Sequence, residues 1–245
     1  MNSFSRNPSS DSRWGVIENQ ARFLQLELWN SRHVLWKGDV PRDPIDVLQP
    51  GVALRLKGFT VETVESLPDT IMHGKRFDVA GTIDRAQKIV QISNRPSKPV
   101  QLFTAAHELG HAVLHPDGVS VHRDIPLEVV GWRKDPEERE ADWFATCFQM
   151  PAKQVRSVFQ ALFLADQFVL TEKTAFALCT KPYDVVASKF RAVRDLSLAV
   201  VRATTYAGQP IPQLHKIFRV SAEAMAIRLD QLQLVADPQL GRRSA

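Results

Sequence analysis

Residues 107–111 read His-Glu-Leu-Gly-His, and no other stretch of this 245-residue chain restricts the fold as strongly. On an α-helix, positions four apart lie about 40° apart around the axis, so His107 and His111 leave one face on successive turns and two imidazoles can reach one ion. Glu108 stands about 100° from His107, where its carboxylate can reach a water on that ion without being a ligand. Phe103, Gly110 and Leu114 lie within about 60° of His107, so both rings point along a buried face, where an unpaired polar ring is costly. Ordinary core histidines are the competing reading. With 7 His in the chain, a chance H-E-x-x-H is on the order of one in a hundred.

A catalytic zinc commonly takes three protein ligands and leaves a fourth position to water, so a third ligand is needed. One pattern places it six residues past His111, at Asp117, but wants glycine at 114, where this sequence has Leu114. The other takes a glutamate from a downstream helix, here opened by Asp135 as N-cap with Pro136 at N1. Ala141, Phe144, Ala145 and Phe148 set the apolar face of that helix. Glu138 lies about 20° from Ala145, and Glu140 about 160° from Glu138, so Glu138 is expected to face inward as ligand and Glu140 to face water. Glu138 also occupies N3, where it could instead complete a capping box with Asp135. Asp142, about 40° from Glu138, is placed to accept the free ring N–H of a ligating histidine. His115 and His122 are candidates, by nearness in sequence, for a further donor to an oxyanion. Two His and one Glu leave an open position, whereas structural zinc sites close with four protein ligands and favour cysteine.

Hydrophobic periodicity predicts a helix over 16–29, in which Val16, Ile17, Phe23, Leu24 and Leu28 recur at helical spacing. Asp43-Pro44 reads as an N-cap opening a helical stretch broken near Pro50-Gly51, with a further turn or two ending at Gly58. A strand over 59–64 and a hairpin of 79–83 with 88–93 come next. The key helix is expected over 99–114, a connecting loop over 115–133, and helices over 152–165, 171–179, 183–205, 211–218 and 222–234. A small sheet before the key helix and helices after it make the fold class α+β.

No stretch reaches the length of a membrane span. The first residues are polar and lack an apolar signal region, which points to a loose tail over 1–14 on a cytoplasmic protein. Cys147 and Cys179 sit in apolar stretches and read as buried small hydrophobes in a reducing compartment. Residues 151–245 hold 13 Lys+Arg against 7 Asp+Glu, a basic excess that suits weak contact with nucleic acid or an acidic partner as well as a solvated helical surface. Residues 211–218 and 222–234 around Arg219-Val220-Ser221 have the lengths of a helix-turn-helix. Ala224, Ile227, Leu229, Leu232 and Leu234 look like packing residues, which leaves Arg228 as the base-contact candidate in its second helix.

Phe103-Thr104-Ala105-Ala106 running into HELGHAVLH, followed by EREADWFATCFQMP, resembles the ImmA/IrrE family of metallopeptidases. Its pattern is HELGH, then E-x-E-A-(N/D)-x-F-A and a helix ending in Met-Pro. The hairpin AGTIDRAQKIVQIS is also similar, so the likeness covers 77–151, with an echo in LHKIFRVSAEAMAIRLDQLQLV and an expanded helical insertion over 152–210. The resemblance implies a zincin-like peptidase domain over 15–151 and a helical region over 152–245. It implies Zn2+ held by His107, His111 and Glu138, with Glu108 as catalytic base. It further implies a metallo-endopeptidase that cuts a specific regulatory protein, such as a helix-turn-helix repressor. The alternative is a regulator that binds DNA or a repressor through its C-terminal helices without cutting.

Overall fold

The computed structural model describes residues 12–72, 75–116, 121–124 and 135–239, with 70–72, 75–77 and 121–124 given by backbone alone. These fall into two compact units, one within Pro8–Gln149 and one within Met150–Ala245.

The first unit begins with α1 (Arg13–Asn30), whose N-cap Ser12 accepts from Gly15 N at 3.2 Å. Ile17, Ala21, Leu24 and Leu28 form its buried stripe. Val16 and Phe23, read from sequence as part of that stripe, are exposed. The short α2 (Arg32–Leu35) follows. Asp43 accepts from Ile45 N at 2.7 Å and from Asp46 N at 2.9 Å, which closes a turn and opens no helix. The turns expected to end at Gly58 are α3 (Pro50–Leu56), which begins at the expected break with Pro50 in its first turn, where a missing N–H is harmless.

Next come β1 (Thr60–Val64), the hairpin β2 (Thr70–Met72) and β3 (Lys75–Phe77), then β4 (Gly81–Asp84), β5 (Ile89–Ser93) and α4 (Lys98–Leu114). Beyond α4 lie β6 (Val121–Asp124) and α5 (Pro136–Gln149). The main sheet has the order β1-β5-β4-β6. β1 runs parallel to β5 with Thr60 opposite Ile89, and β4 runs antiparallel to both β5 and β6 with Gly81 opposite Ile92 and Asp124. β6 corrects the expected loop over 115–133. With one apolar residue in Val-His-Arg-Asp it has no alternation to read, and it is held as a strand by backbone pairing with β4.

The second unit contains α6 (Ala152–Phe163), β7 (Phe168–Val169), α7 (Glu172–Cys179), α8 (Tyr183–Ala187) and α9 (Val193–Val201). It ends with the hairpin β8 (Thr205–Tyr206) and β9 (Gln209–Pro210), then α10 (Leu214–Ile217), α11 (Ala222–Gln231) and β10 (Val235–Ala236). The single helix expected over 183–205 is two helices. Asp195 Oδ2 accepts from Arg191 N and Ala192 N at 2.8 and 3.0 Å, a side-chain cap that starts α9 afresh. Phe163, Phe168 and Tyr206 form an edge-to-face cluster beside Phe159 in the core of this unit. The fold class is α+β throughout, and no helix among the described residues is long and apolar enough to cross a membrane.

Candidate metal centre

Every residue from Thr104 to His111 is buried, so α4 is a core helix covered on all sides. Its closest neighbour along this stretch is α5. A Cβ placed on Gly110 would lie 3.0 Å from both Cα and O of Ala141, so a side chain there would push the two backbones apart by a few tenths of an ångström. Gly110 therefore lets α4 and α5 approach until Glu138 and Asp142, on either side of Ala141, reach the histidines. Leu109, Phe144 and Phe148 are fully buried in this unit, each contributing about 1.5–3 kcal/mol by burial. α5 is held from its other side by α1. Trp143 Nε1 donates to Trp14 O at 3.1 Å, and Gln25 Nε2 donates to Cys147 O and Phe148 O at 2.9 and 3.1 Å.

Within this frame His107, His111 and Glu138 offer ligand atoms that all lie within 4.8 Å of one another. The two Nε2 atoms are 3.0 Å apart. Glu138 Oε1 is 3.2 Å from His111 Nε2, and its Oε2 is 3.4 Å from His107 Nε2. Three groups that carry lone pairs thus converge on one point, and a cation satisfies such a set. Nitrogens bound at ~2.05 Å to a tetrahedral ion stand ~3.3 Å apart, so the donor set fits an ion of zinc's size and preference. Glu138 sends its carboxylate to the histidines, while Asp135 caps α5 by accepting from Glu137 N at 3.3 Å.

His107 Nδ1 lies 3.0 Å from Asp142 Oδ1, the partner expected of Asp142. His111 Nδ1 instead faces His115 Nδ1 at 3.2 Å, and His115 Nε2 lies 3.0 Å from Glu140 Oε2. Glu140 does not face water, as the helical wheel suggested. Arg13 Nε donates to its Oε1 at 2.7 Å and Arg13 Nη2 to its Oε2. The wheel considered α5 against α4 alone, whereas α1 covers the opposite flank. The Arg13 guanidinium holds the Glu140 carboxyl down at about 2, with His115 adding to the effect against the opposing pull of burial. The same pairing pushes Arg13 upward.

Glu108, which follows His107 on α4, is fully buried. A Cβ on Gly81, the first residue of β4, would sit 3.0 Å from Glu108 Oε1 and 2.4 Å from Thr104 Cγ2, so only glycine lets the strand lie this close to that carboxylate. His115 is buried with both ring nitrogens engaged and is not placed to serve an oxyanion. The side chain of His122, and all of Asp117, lie outside the described residues. Sequence reasoning missed the link from His115 through Glu140 to Arg13. The signal was present, because His107, His111 and His115 are spaced four by four on one helical face.

In the second unit, the proposed base contact Arg228 is 2% exposed. Its Nε donates to Met150 O at 3.0 Å and its Nη1 to Gln231 Oε1 at 3.4 Å, so the guanidinium is spent inside the unit and cannot read a base. Ser221 caps α11 by accepting from Ala224 N, and the docked helix has Arg228 buried and Ile227 exposed. Cys147 is buried as expected, but Cys179, at the end of α7, is exposed.

No curated protein matches the chain significantly. The peptidase-family profile described as the IrrE N-terminal-like domain matches residues 59–230. That span runs from β1 to α11, well past the 77–151 segment that carries the motifs, and takes in the region over 152–210 that looked like an insertion.

Proposed function

The chain belongs to the IrrE N-terminal-like peptidase family, and from that premise we propose that it is a zinc-dependent endopeptidase that cuts a specific regulatory protein. One observation carries the reading: His107, His111 and Glu138 bring three ligand atoms within 4.8 Å of one another, and Glu108, which follows His107 on the same helix, is fully buried. His107 Nε2, His111 Nε2 and one Glu138 oxygen would hold the ion. When bound, zinc supplies Lewis acidity, which acidifies a water and polarises a peptide carbonyl.

The remaining work falls to the chain itself. Glu108 takes a proton from water at the site onto its carboxylate and returns it to the leaving amine, the general base turning general acid. Its burial keeps bulk water from exchanging that proton away. Asp142 fixes the His107 ring by accepting its Nδ1–H. Gly110 and Gly81 set the distances at which α5 and β4 stand from these groups.

A helix-turn-helix repressor is the proposed substrate, in keeping with the ImmA/IrrE resemblance. A cytoplasmic peptidase without such selectivity would damage its host. The basic residues of 151–245 are proposed to meet an acidic partner surface or nucleic acid weakly. The test is to co-express the protein with a repressor encoded beside it and follow the repressor's mass, with Glu108→Gln as control. Cleavage by wild type alone supports the reading and reveals the bond. Equal cleavage by both proteins overturns the role of Glu108, and an intact repressor in both overturns this choice of substrate.

A further inference from the structure

The two histidines of the centre are supported differently. Resting on the metal reading above, Nε2 of each ring must be free of a proton to bind an ion, so each carries its hydrogen on Nδ1. The His107 hydrogen goes directly to a carboxylate, Asp142. The His111 hydrogen points at another imidazole nitrogen, His115 Nδ1, 3.2 Å away. An N–H requires a lone pair opposite, so His115 must accept there and carry its own hydrogen on Nε2. That hydrogen meets Glu140 Oε2 at 3.0 Å. Glu140, gripped through both oxygens by Arg13, is an acceptor only.

Only one direction of donation satisfies every link: His111 to His115, and His115 to Glu140. The reverse would place a hydrogen on His115 Nδ1, force His111 to accept at Nδ1, and move the His111 hydrogen to Nε2. It would then point into the 3.0 Å space before His107 Nε2, where the ion belongs. We infer that His115, anchored by Glu140 from α5 and through it by Arg13 from α1, is a positioning residue that sets the tautomer of His111 and keeps its Nε2 open to the metal. Three helices thereby contribute to one ring's orientation, and α1 has a part in the site although it supplies no ligand.

The test is Zn2+ affinity of the full chain, measured by competition with a chromophoric chelator, for wild type, His115→Leu and His115→Gln. Glutamine can accept from His111 through its amide oxygen and donate to Glu140 through its nitrogen, whereas leucine fills space and does neither. His115→Leu is expected to weaken Zn2+ binding about 10- to 100-fold, with His115→Gln recovering most of it. Unchanged affinity in His115→Leu, or equal losses in both variants, overturns the inference. A second readout needs no variant: long-range 1H–15N spectra of wild-type imidazoles should show His115 protonated at Nε2, and protonation at Nδ1 overturns the inference. A wild type that binds no Zn2+ strikes the metal reading first, and is told apart because it fails before any His115 variant is compared.

Discussion

Within Pro8–Gln149, Thr104, His107, Glu108, His111 and His115 are buried along α4 and its C-cap, whereas within Met150–Ala245 the buried Ser197 and Arg228 stand apart on α9 and α11. Their partners differ as well. Around α4 the histidines and carboxylates face one another across a shared space, and the links end in Asp142 and Arg13. In the second unit Ser197 Oγ donates to Asp230 Oδ1 at 2.5 Å, Arg194 Nε donates to Asp230 Oδ2 at 2.7 Å, and Arg228 donates to Met150 O and Gln231 Oε1. Each of those bonds ties one element of the unit to a near neighbour, and none joins a group of converging histidines and carboxylates. Burial of a polar group is therefore informative here only together with where its partners point.

If that contrast holds, changes in the first unit should cost chemistry and changes in the second should cost stability. The largest effect is expected from Glu108→Gln, which should lower peptide cleavage by about 10²- to 10⁴-fold with bound metal per chain unchanged, as read by turnover and elemental content. Arg228→Met keeps much of the side-chain volume but leaves Met150 O without its donor. It should destabilise by about 1–3 kcal/mol in a denaturant titration, and metal content should not move; a drop in metal content would break the comparison.

Gly110→Ala sharpens the contrast, because it should move both readouts. Alanine in place of helical glycine gains about 1 kcal/mol in propensity, while forcing a methyl against the Ala141 backbone costs about 1–3 kcal/mol. Since backbone atoms cannot swing aside, a net loss of stability with weaker metal binding is expected, checked by melting temperature and chelator competition. The smallest effect belongs to Arg13→Ala, at most about 1 kcal/mol for a partly exposed pair. The Glu140 carboxyl is depressed from 4.5 to about 2, so its contribution is present above 4.5 and lost as pH falls toward 2. The stability gap between wild type and Arg13→Ala should be full at neutral pH and close over that window.

The parts of this fold that could be read from sequence are those with a strong period. The hairpin of β4 and β5, α4 and α5 lie within a residue or two of their expected bounds, because alternation, a proline at N1 and an apolar stripe each leave a pattern. The same wheel that turned Glu138 inward sent Glu140 outward, since a wheel knows one neighbour and α5 has two. Pro50 was legible as punctuation, and the turns read between it and Gly58 are α3, whereas the stretch read from Asp43 is a turn rather than a helix. β6 carries its pairing in the backbone, which leaves no trace in side-chain pattern. Arg228 was misread because its helix face depends on how α11 is docked, and a long aliphatic stem makes arginine as fit for a core as for a phosphate.

The site stands or falls on whether His107, His111 and Glu138 together hold one metal ion. Elemental content of the full chain, loaded with Zn2+ and freed of excess, tests it most directly in wild type, His111→Ala and Glu108→Gln. One zinc per chain is expected in wild type and Glu108→Gln, and none in His111→Ala. Zinc retained by a folded His111→Ala protein, or absent from wild type, would contradict it.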